Sequence, residues 1–317
     1  MQGASTCWKN VTKAKLMIDN TVVPMKISLI TACLNADKTI ERTLKSIEAQ
    51  NYPTLEYIIY DGGSTDDTLK IIERNRHIIT KVISEKDKNV PDAINKGFRH
   101  ASGEIFCYLN ADDCYEPETL LHVANTFSKN PTIDVITGGC KRIFADGSEL
   151  ITQVPDSFLR LVSMRNDIEQ PSTFWRASAH HKAGELDVSL FLAFDWEWWN
   201  RLHKTKARFL VVPNVLSVYY FTDDNLTSKA GKRVINEMFL ITKRYGPMGI
   251  AYIYQFLFHV FDMHGFYDIP FRELSRLKQW FFGGTLVFLF KLFGRDNVSA
   301  YNWNWASKQI RDIVWFK

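Results

Sequence analysis

The sequence predicts an α/β fold, with a Rossmann-like, mostly parallel sheet, flanking helices and a helical, aromatic-rich C-terminal extension. Three observations predict it. From Lys26 to about residue 130, short β-branched runs alternate with helical periodicity, the pattern of a parallel sheet with crossover helices. After Pro131 the alternation loosens into a mixed pattern. The C-terminal end is crowded with rings, 20 of the 43 aromatic residues lying between Tyr245 and Phe316.

The elements follow in order. Residues 1–25 read as a leader; they lack an apolar run behind basic residues, so no signal peptide is expected. "KISLIT" is a first strand, and Ile40, Leu44 and Ile47 give the helix after it one apolar face. "LEYIIYD" is a second strand, with Leu69, Ile71 and Ile72 in its helix. "KVIS", "PDAINKGFRHA" and "EIFCYLN" read as strand, helix and strand, completing a half-domain over residues 26–130. In the second half, 131–228, "IDVITGGCKRIF" and "DGSELI" suggest strands joined by a turn, "FDWEWWNRLHK" a helix, and "RFLVVPNVLSVYYF" an extended run interrupted at Pro213.

Charge and cysteine usage narrow the function classes. The formal charge of +4 is too small to mark a nucleic-acid protein, and none is expected as a partner. Residues 229–317 hold 13 Lys and Arg against 6 Asp and Glu, while the preceding 228 hold 26 against 29. A near-neutral body with a basic, aromatic tail suggests contact with an anionic membrane surface. The apolar stretches of that tail, ending at Asp262 and Lys291, are shorter than the ~20 residues a spanning helix needs. Five cysteines without a C-x-x-C pair are expected to be small buried hydrophobes.

In open parallel sheets, ligands bind beyond the carboxyl ends of the strands. Three strands end in polar groups there: the first at Asn35, the second at Asp61 of "DGGSTDDT", the fourth at "NADD". Each group also has a capping role open to it. Asn35 suits the first helix, Ser64 or Thr65 the second, and Asp113 and Glu116 a helix beginning at Pro117. Three at one sheet edge favour a site.

The stretches "ISLITACLNADKTIERTLKSIEAQNYPTLEYIIYDGGSTDDT", "SEKDKNVPDAINKGFRHASGEIFCYLNADD" and "QPSTFWRASAHHKAGELDVSLFLAFDWEWWNRL" resemble the inverting family 2 glycosyltransferases, of the GT-A fold, in order and spacing. The resemblance implies transfer from a nucleotide-sugar donor and a Mg2+ or Mn2+ cofactor. It assigns Asp112 to the metal and Asp113 to metal or ribose, Asn110 standing where the family has the first Asp of D-x-D. Thr31, Asn35, Asp61, Asp87 and Lys96 fall on the donor side, with Gly62 in place of a frequent second aspartate. Asp195 takes the position of the catalytic base, and its flanking Phe194 and Trp196 suit a partly desolvated carboxyl of raised pKa. Gln170, Ser172, Glu197 and Trp198 are expected to face the acceptor, with Trp196 and Trp199 also open to stacking on sugars and at least one of the three indoles expected in the core. Adjacent His180 and His181 read as surface residues, and Asp223 and Asp224 receive no role.

The implied activity is sugar transfer to a glycan or polyprenyl-linked glycan in surface-polysaccharide synthesis, at the cytoplasmic face of the membrane. A processive synthase is disfavoured because "QPSTFWR" does not follow the Q-x-x-R-W order, and a nucleotidyltransferase or dehydrogenase because "TACLNADKT" is not a glycine-rich phosphate loop. A nucleotide-binding scaffold without activity is the remaining alternative, resting on Asn110.

Overall fold

The computed structural model describes residues 24–155, 158–164, 166–222, 225–226, 232–246, 248–249, 251–252, 288 and 292. The leader up to residue 23, Asp223, Asp224 and nearly all of the chain beyond 252 therefore lie outside the described residues.

Four strands form the parallel half: β1 (Ile27–Cys33), β2 (Leu55–Asp61), β3 (Lys81–Ser84) and β4 (Ile105–Tyr108). They lie in the order β3-β2-β1-β4, with Cys33 opposite Asp61 and Ile30 opposite Tyr108. The crossovers are α1 (Ile40–Glu48), α2 (Thr68–Arg74) and α3 (Val90–Phe98). β1 is buried along nearly its whole length, Ser28 and Thr31 included, because both of its faces lie against a core. Its alternate side chains divide between two cores: Leu29 packs with Ile59 and Leu44, Ile30 with Ile58, Phe98 and Phe106. α3 starts where expected, the Asn89 side chain accepting from the Asp92 N–H at 3.2 Å with Pro91 in the first turn.

The second half continues the same sheet. After β5 (Cys114–Tyr115) and α4 (Thr119–Lys129) come β6 (Val135–Phe144) and β7 (Glu149–Thr152), then α5 (Phe158–Leu161), β8 (Thr173–Arg176), α6 (Ala177–Ala183), α7 (Phe194–Lys204), β9 (Phe209–Phe221) and α8 (Lys232–Tyr245). β8 pairs antiparallel with β4, and the order runs on through β6, β9 and β5, with β7 paired to β6. Pro213 does not end its strand. The β6–β9 register shifts around Gly139, where an added Cβ would meet the Gln153 amide at 2.5 Å. The bulge absorbs the missing proline N–H.

The expected caps differ. Helix α4 begins at Thr119, not Pro117, because Cys114 and Tyr115 pair with β9 and Glu118 turns left-handed at φ 62°. Asp113 therefore starts no helix. At α2 it is Asp66, not Ser64 or Thr65, that accepts from the Thr68 N–H at 3.0 Å. The four described cysteines are buried and unpaired, as expected.

Buried Glu56 shows how the sheet tolerates charge. It accepts from Ser28 at 2.5 Å, Lys26 at 2.7 Å and the Ser102 backbone at 2.7 Å. Burial alone would raise its pKa, but these donors outweigh it and hold the carboxyl at about 2. The stabilisation is present above the unfolded value near 4.5 and is lost as pH falls toward 2. Glu56→Gln is expected to destabilise by roughly 3 kcal/mol at pH 7 and by much less at pH 3. Urea unfolding at both pH values measures it, and an equal loss at both would contradict the assignment.

Candidate active site

The carboxyl edge of the parallel strands brings several predicted residues together. On the donor side, Asn35 adopts φ 49° and joins the loops after β1 and β2. Its Oδ1 accepts from the Thr65 N–H at 2.9 Å, and its own N–H donates to Ser64 Oγ at 2.8 Å; it does not cap α1. Asp61 is fully buried and accepts from Ser84 Oγ at 2.6 Å and from the Gly63 and Ser64 N–H groups at 3.1–3.2 Å. It holds the turn that forms this side of the site.

Asp87 lies over that turn. A side chain at Gly62 would meet the Asp87 carboxylate, which would have to swing aside to admit it. Burial, then Asp92 and Asp61, push the Asp87 carboxyl upward, against the pull of Lys96.

Two donor-side expectations are corrected. Thr31 is fully buried and accepts from Tyr57 Oη at 3.1 Å between β1 and β2, so it lines no pocket. Lys96 donates to Tyr60 Oη at 2.8 Å and the Lys86 carbonyl at 3.0 Å, and pairs with Glu85 at 3.3 Å. It braces β2 and the β3–α3 loop instead of reaching outward.

Beyond β4, the pair Asp112 and Asp113 is fixed from α1: Arg42 donates to the Asp112 carbonyl at 2.9 Å and Thr43 to the Asp113 carbonyl at 2.8 Å. Asp112 is half-buried, and its Oδ2 accepts from Asn225 Nδ2 at 2.7 Å. Asp113 is fully buried; Oδ2 accepts from Asn110 at 3.3 Å while Oδ1 has no hydrogen-bond partner. Burial raises both carboxyls, and Asp112 raises Asp113 further.

This donor set fits a divalent cation. Two desolvated carboxylates and an orphaned oxygen suit a hard ion whose other ligands are phosphate oxygens and water. Among the described residues no group of three His, Cys, Asp or Glu forms a protein-only cage.

Asp195 lies in the first turn of α7, following Ala193 at the N-cap position. Its Oδ1 accepts from the Trp196 N–H at 2.6 Å and its Oδ2 from Asn166 at 3.4 Å. Burial raises its carboxyl to about 6, with Glu169 adding to the rise. Glu169 acts on Asp113 in the same way, and buried Tyr108 feels both Asp113 and Asp195. The base candidate and the metal candidates thus share one neighbourhood.

The acceptor expectations fare unevenly. Gln170 touches this neighbourhood, donating to the Tyr108 carbonyl at 2.8 Å and accepting from Asn110 at 3.4 Å. Ser172 is corrected: it is fully buried between Gly139 and Ser217 at 2.6 Å each. Glu197 is corrected too, being 2 % exposed and bound to Arg201 at 2.8 Å and Tyr245 at 2.5 Å. Trp198 is fully buried and donates to the Gly184 carbonyl at 2.8 Å, while Trp196 and Trp199 lie in the same core. None of the three indoles can stack on a sugar. His180 is buried among Phe98, Phe106 and Trp175 and driven down to about 4, first by burial; His181 alone is at the surface.

Sequence reasoning missed Arg42, Tyr108, Asn166, Glu169 and Asn225. Asn166 and Glu169 lie just upstream of "QPSTFW" and Asn225 follows "DD", so proximity to a motif was the available signal.

The sheet is mixed, with paired carboxylates beyond one central strand and a raised carboxyl that shares Tyr108 and Glu169 with them. Residues 28–174 match the family model Glycosyl transferase family 2. A poly-β-1,6-N-acetyl-D-glucosamine synthase of Staphylococcus epidermidis is 33 % identical over 114 residues, 35 % of this chain and 28 % of the synthase. An uncharacterized glycosyltransferase of Mycobacterium tuberculosis is 28 % identical over 54 % of this chain and 66 % of its own length. The chain thus spans under a third of the first relative and about two thirds of the second. Two solved structures share the fold. TarS 1-349 of S. aureus with UDP-GlcNAc has a TM-score of 0.56 at 21 % identity, covering 68 % of this chain and 66 % of that one. The mannosyltransferase PcManGT of Pyrobaculum calidifontis with GDP-Man and Mn2+ has 0.54 at 19 %, covering 72 % and 68 %. Among the described residues no helix is long and apolar enough to cross a membrane.

Because Asp195 holds its proton more tightly folded than unfolded, the associated stability is fullest below about 3.8 and is lost as pH rises through about 6. Asp195→Asn is therefore expected to raise stability at pH 7.5, by on the order of 3 kcal/mol at most, and to leave it unchanged near pH 4. Denaturant melts at the two pH values test this; a gain at pH 4 as large as at pH 7.5 would refute it.

Proposed function

We propose that the chain is an inverting glycosyltransferase that moves a sugar from a nucleotide-diphosphate sugar to a hydroxyl of a glycan or lipid-linked glycan in cell-surface polysaccharide synthesis. The family match over residues 28–174 supports transfer, and the similarity to the S. epidermidis synthase supports the polysaccharide setting. The UDP-GlcNAc and GDP-Man bound by the two fold neighbours support a nucleotide-sugar donor. The observation that carries the mechanism is Asp195, whose carboxyl is raised to about 6 beside Glu169, Tyr108 and the Asp112–Asp113 pair.

The chemistry follows from these residues. Asp195 is ionised above about pH 6 and takes the proton of the acceptor hydroxyl as its oxygen attacks the anomeric carbon. Asn166 and the Trp196 N–H orient that carboxylate. The sugar–phosphate bond breaks on the opposite side, so configuration inverts in one displacement. Asp112 and Asp113 would hold Mg2+ or Mn2+, which would supply positive charge for the departing diphosphate. The turn held by Asn35 and Asp61, with Asp87 over it, forms the nucleotide side. The basic tail after Tyr245 fits a peripheral position on the inner membrane face.

A panel of sugar nucleotides with Mg2+ or Mn2+ is expected to reveal metal-dependent donor turnover with an acidic limb near pH 6. Asp195→Asn should lower it by about 10²–10⁴-fold, and Asp112→Ala should abolish the metal-dependent turnover. Turnover that survives both substitutions would end the proposal, and a wild type that binds nucleotide yet turns over no donor would favour the scaffold. Separately, a chain ending at Tyr245 should lose the affinity of the full chain for anionic liposomes. Equal binding by both would remove the membrane role of the tail.

A further inference from the structure

Helix α8 lies beyond the family match, in the region expected from sequence to be a separate appendage, yet it is fastened to the helix that carries Asp195. Glu237 of α8 is 4 % exposed. Its Oε1 accepts from the Phe191 N–H at 2.7 Å, and its Oε2 from the Leu192 and Ala193 N–H groups, both at 2.9 Å. These are the three residues directly before Phe194, the first residue of α7, and no side chain of the segment itself caps that helix. Arg233, one turn earlier, stacks on Phe191 with its guanidinium 4.1 Å from the ring centre and reaches Glu237 at 3.6 Å.

The far end of α8 is fastened as well. Tyr245 donates to Glu197 of α7 at 2.5 Å, and the Lys204 ammonium lies 4.5 Å from the Tyr245 ring centre. The two attachment points are eight residues apart, about 12 Å along a helix. A rod held at both ends fixes the position and the rotation of α7.

We propose that Glu237 is a positioning residue for Asp195: its carboxylate, taking three backbone N–H groups, sets the chain entering α7 and thereby the aim of the base. A buried carboxylate with three short charge-assisted bonds is a stiff connection, and a small misplacement of a catalytic group has a large kinetic effect. Glu237 acts by geometry. The groups facing Asp195 are Asn166, Glu169 and Tyr108, and Glu237 is not among them. The inference rests on Asp195 being the base of a transfer reaction.

Glu237→Gln keeps the shape but offers one accepting oxygen in place of two, so at least one of the three N–H groups loses its partner. In the full chain, with the donor found by the sugar-nucleotide panel, kcat is expected to fall by between about 10- and 100-fold. Donor KM and the affinity for the donor's nucleoside diphosphate should stay within about twofold of wild type, because the donor side is built on β1, β2 and β3. The acidic limb of the kcat profile should move below pH 6 as Asp195 gains access to water. Amide hydrogen exchange at residues 191–193, measured without substrate, should accelerate.

An unchanged kcat and pH profile would overturn the proposal. So would a loss of nucleoside diphosphate affinity equal to the loss of kcat, which marks general damage. Glu237→Asp, which keeps the charge, should recover part of kcat if Gln causes the fall; no recovery counts against the proposal. If the wild type turns over no donor, the transfer reading fails first. Exchange that still responds at 191–193 would then leave Glu237 a structural contact only, and the positioning role is refuted.

Discussion

Asp113 stands beyond the carboxyl end of β4 with one carboxylate oxygen shut away from water and lacking a hydrogen-bond partner. A desolvated carboxylate in that state takes up a proton or draws a cation, and a second carboxylate one residue away sharpens the demand. The surrounding chain keeps the pair in place without neutralising it. Arg42 and Thr43 grip the backbone carbonyls of Asp112 and Asp113, not their carboxylates. The crossover helix that covers the sheet is thus also the clamp on the loop that carries the pair.

The same physics drives two carboxyls to different proton affinities. Asp113 has no exposed surface, and its proton affinity rises well above the ordinary range. Asp195 is half-buried and also has two donors, so the upward push of burial is opposed and its carboxyl rests at about 6. Carboxyls whose environments drive them to different values are suited to different tasks. In the proposed mechanism the first would be ionised only with a cation beside it, as a ligand, and the second, poised near neutrality, would act as the base. Glu169 acts on both from the segment before β8, and Arg142 holds Glu169 at 3.0 Å. The charge balance of the two centres is therefore linked through a residue that belongs to neither motif.

Much of the parallel half was legible because its signal is local: alternating strand and helix periods fix the order, and the three polar strand ends follow from it. The second half was less legible because β6, β8 and β9 pair across long separations and a bulge reconciles Pro213 with a continuous strand. Several site errors had a signal that went unused. Thr31 shares a face of β1 with Leu29 and Cys33, both in one core, so period two already placed it inside. Trp196 and Trp199 are three residues apart, and Trp198 and Leu202 four, the spacing of a buried helix face. Nothing in the composition distinguished Glu197 from an exposed residue, since its partner Tyr245 is 48 positions away.

The two departures from the family pattern have physical compensations, and these bear on whether the site is a relic. Gly62 admits the Asp87 carboxylate over the turn, so acidic character removed from one position is present at the next layer. Asn110 replaces a carboxylate with an amide that donates to Asp113 at 3.3 Å and to Gln170 at 3.4 Å. A third carboxylate there would face Asp113 and add repulsion to a pair already raised by burial. The amide removes that repulsion yet satisfies only one Asp113 oxygen, leaving the other in an arrangement that costs stability unless a cation is supplied. Chains that no longer use a site are free to relieve such strain by a single substitution to an apolar residue. A half-buried and a fully buried carboxylate beside a softened neighbour form the arrangement that the proposed uptake of a cation calls for.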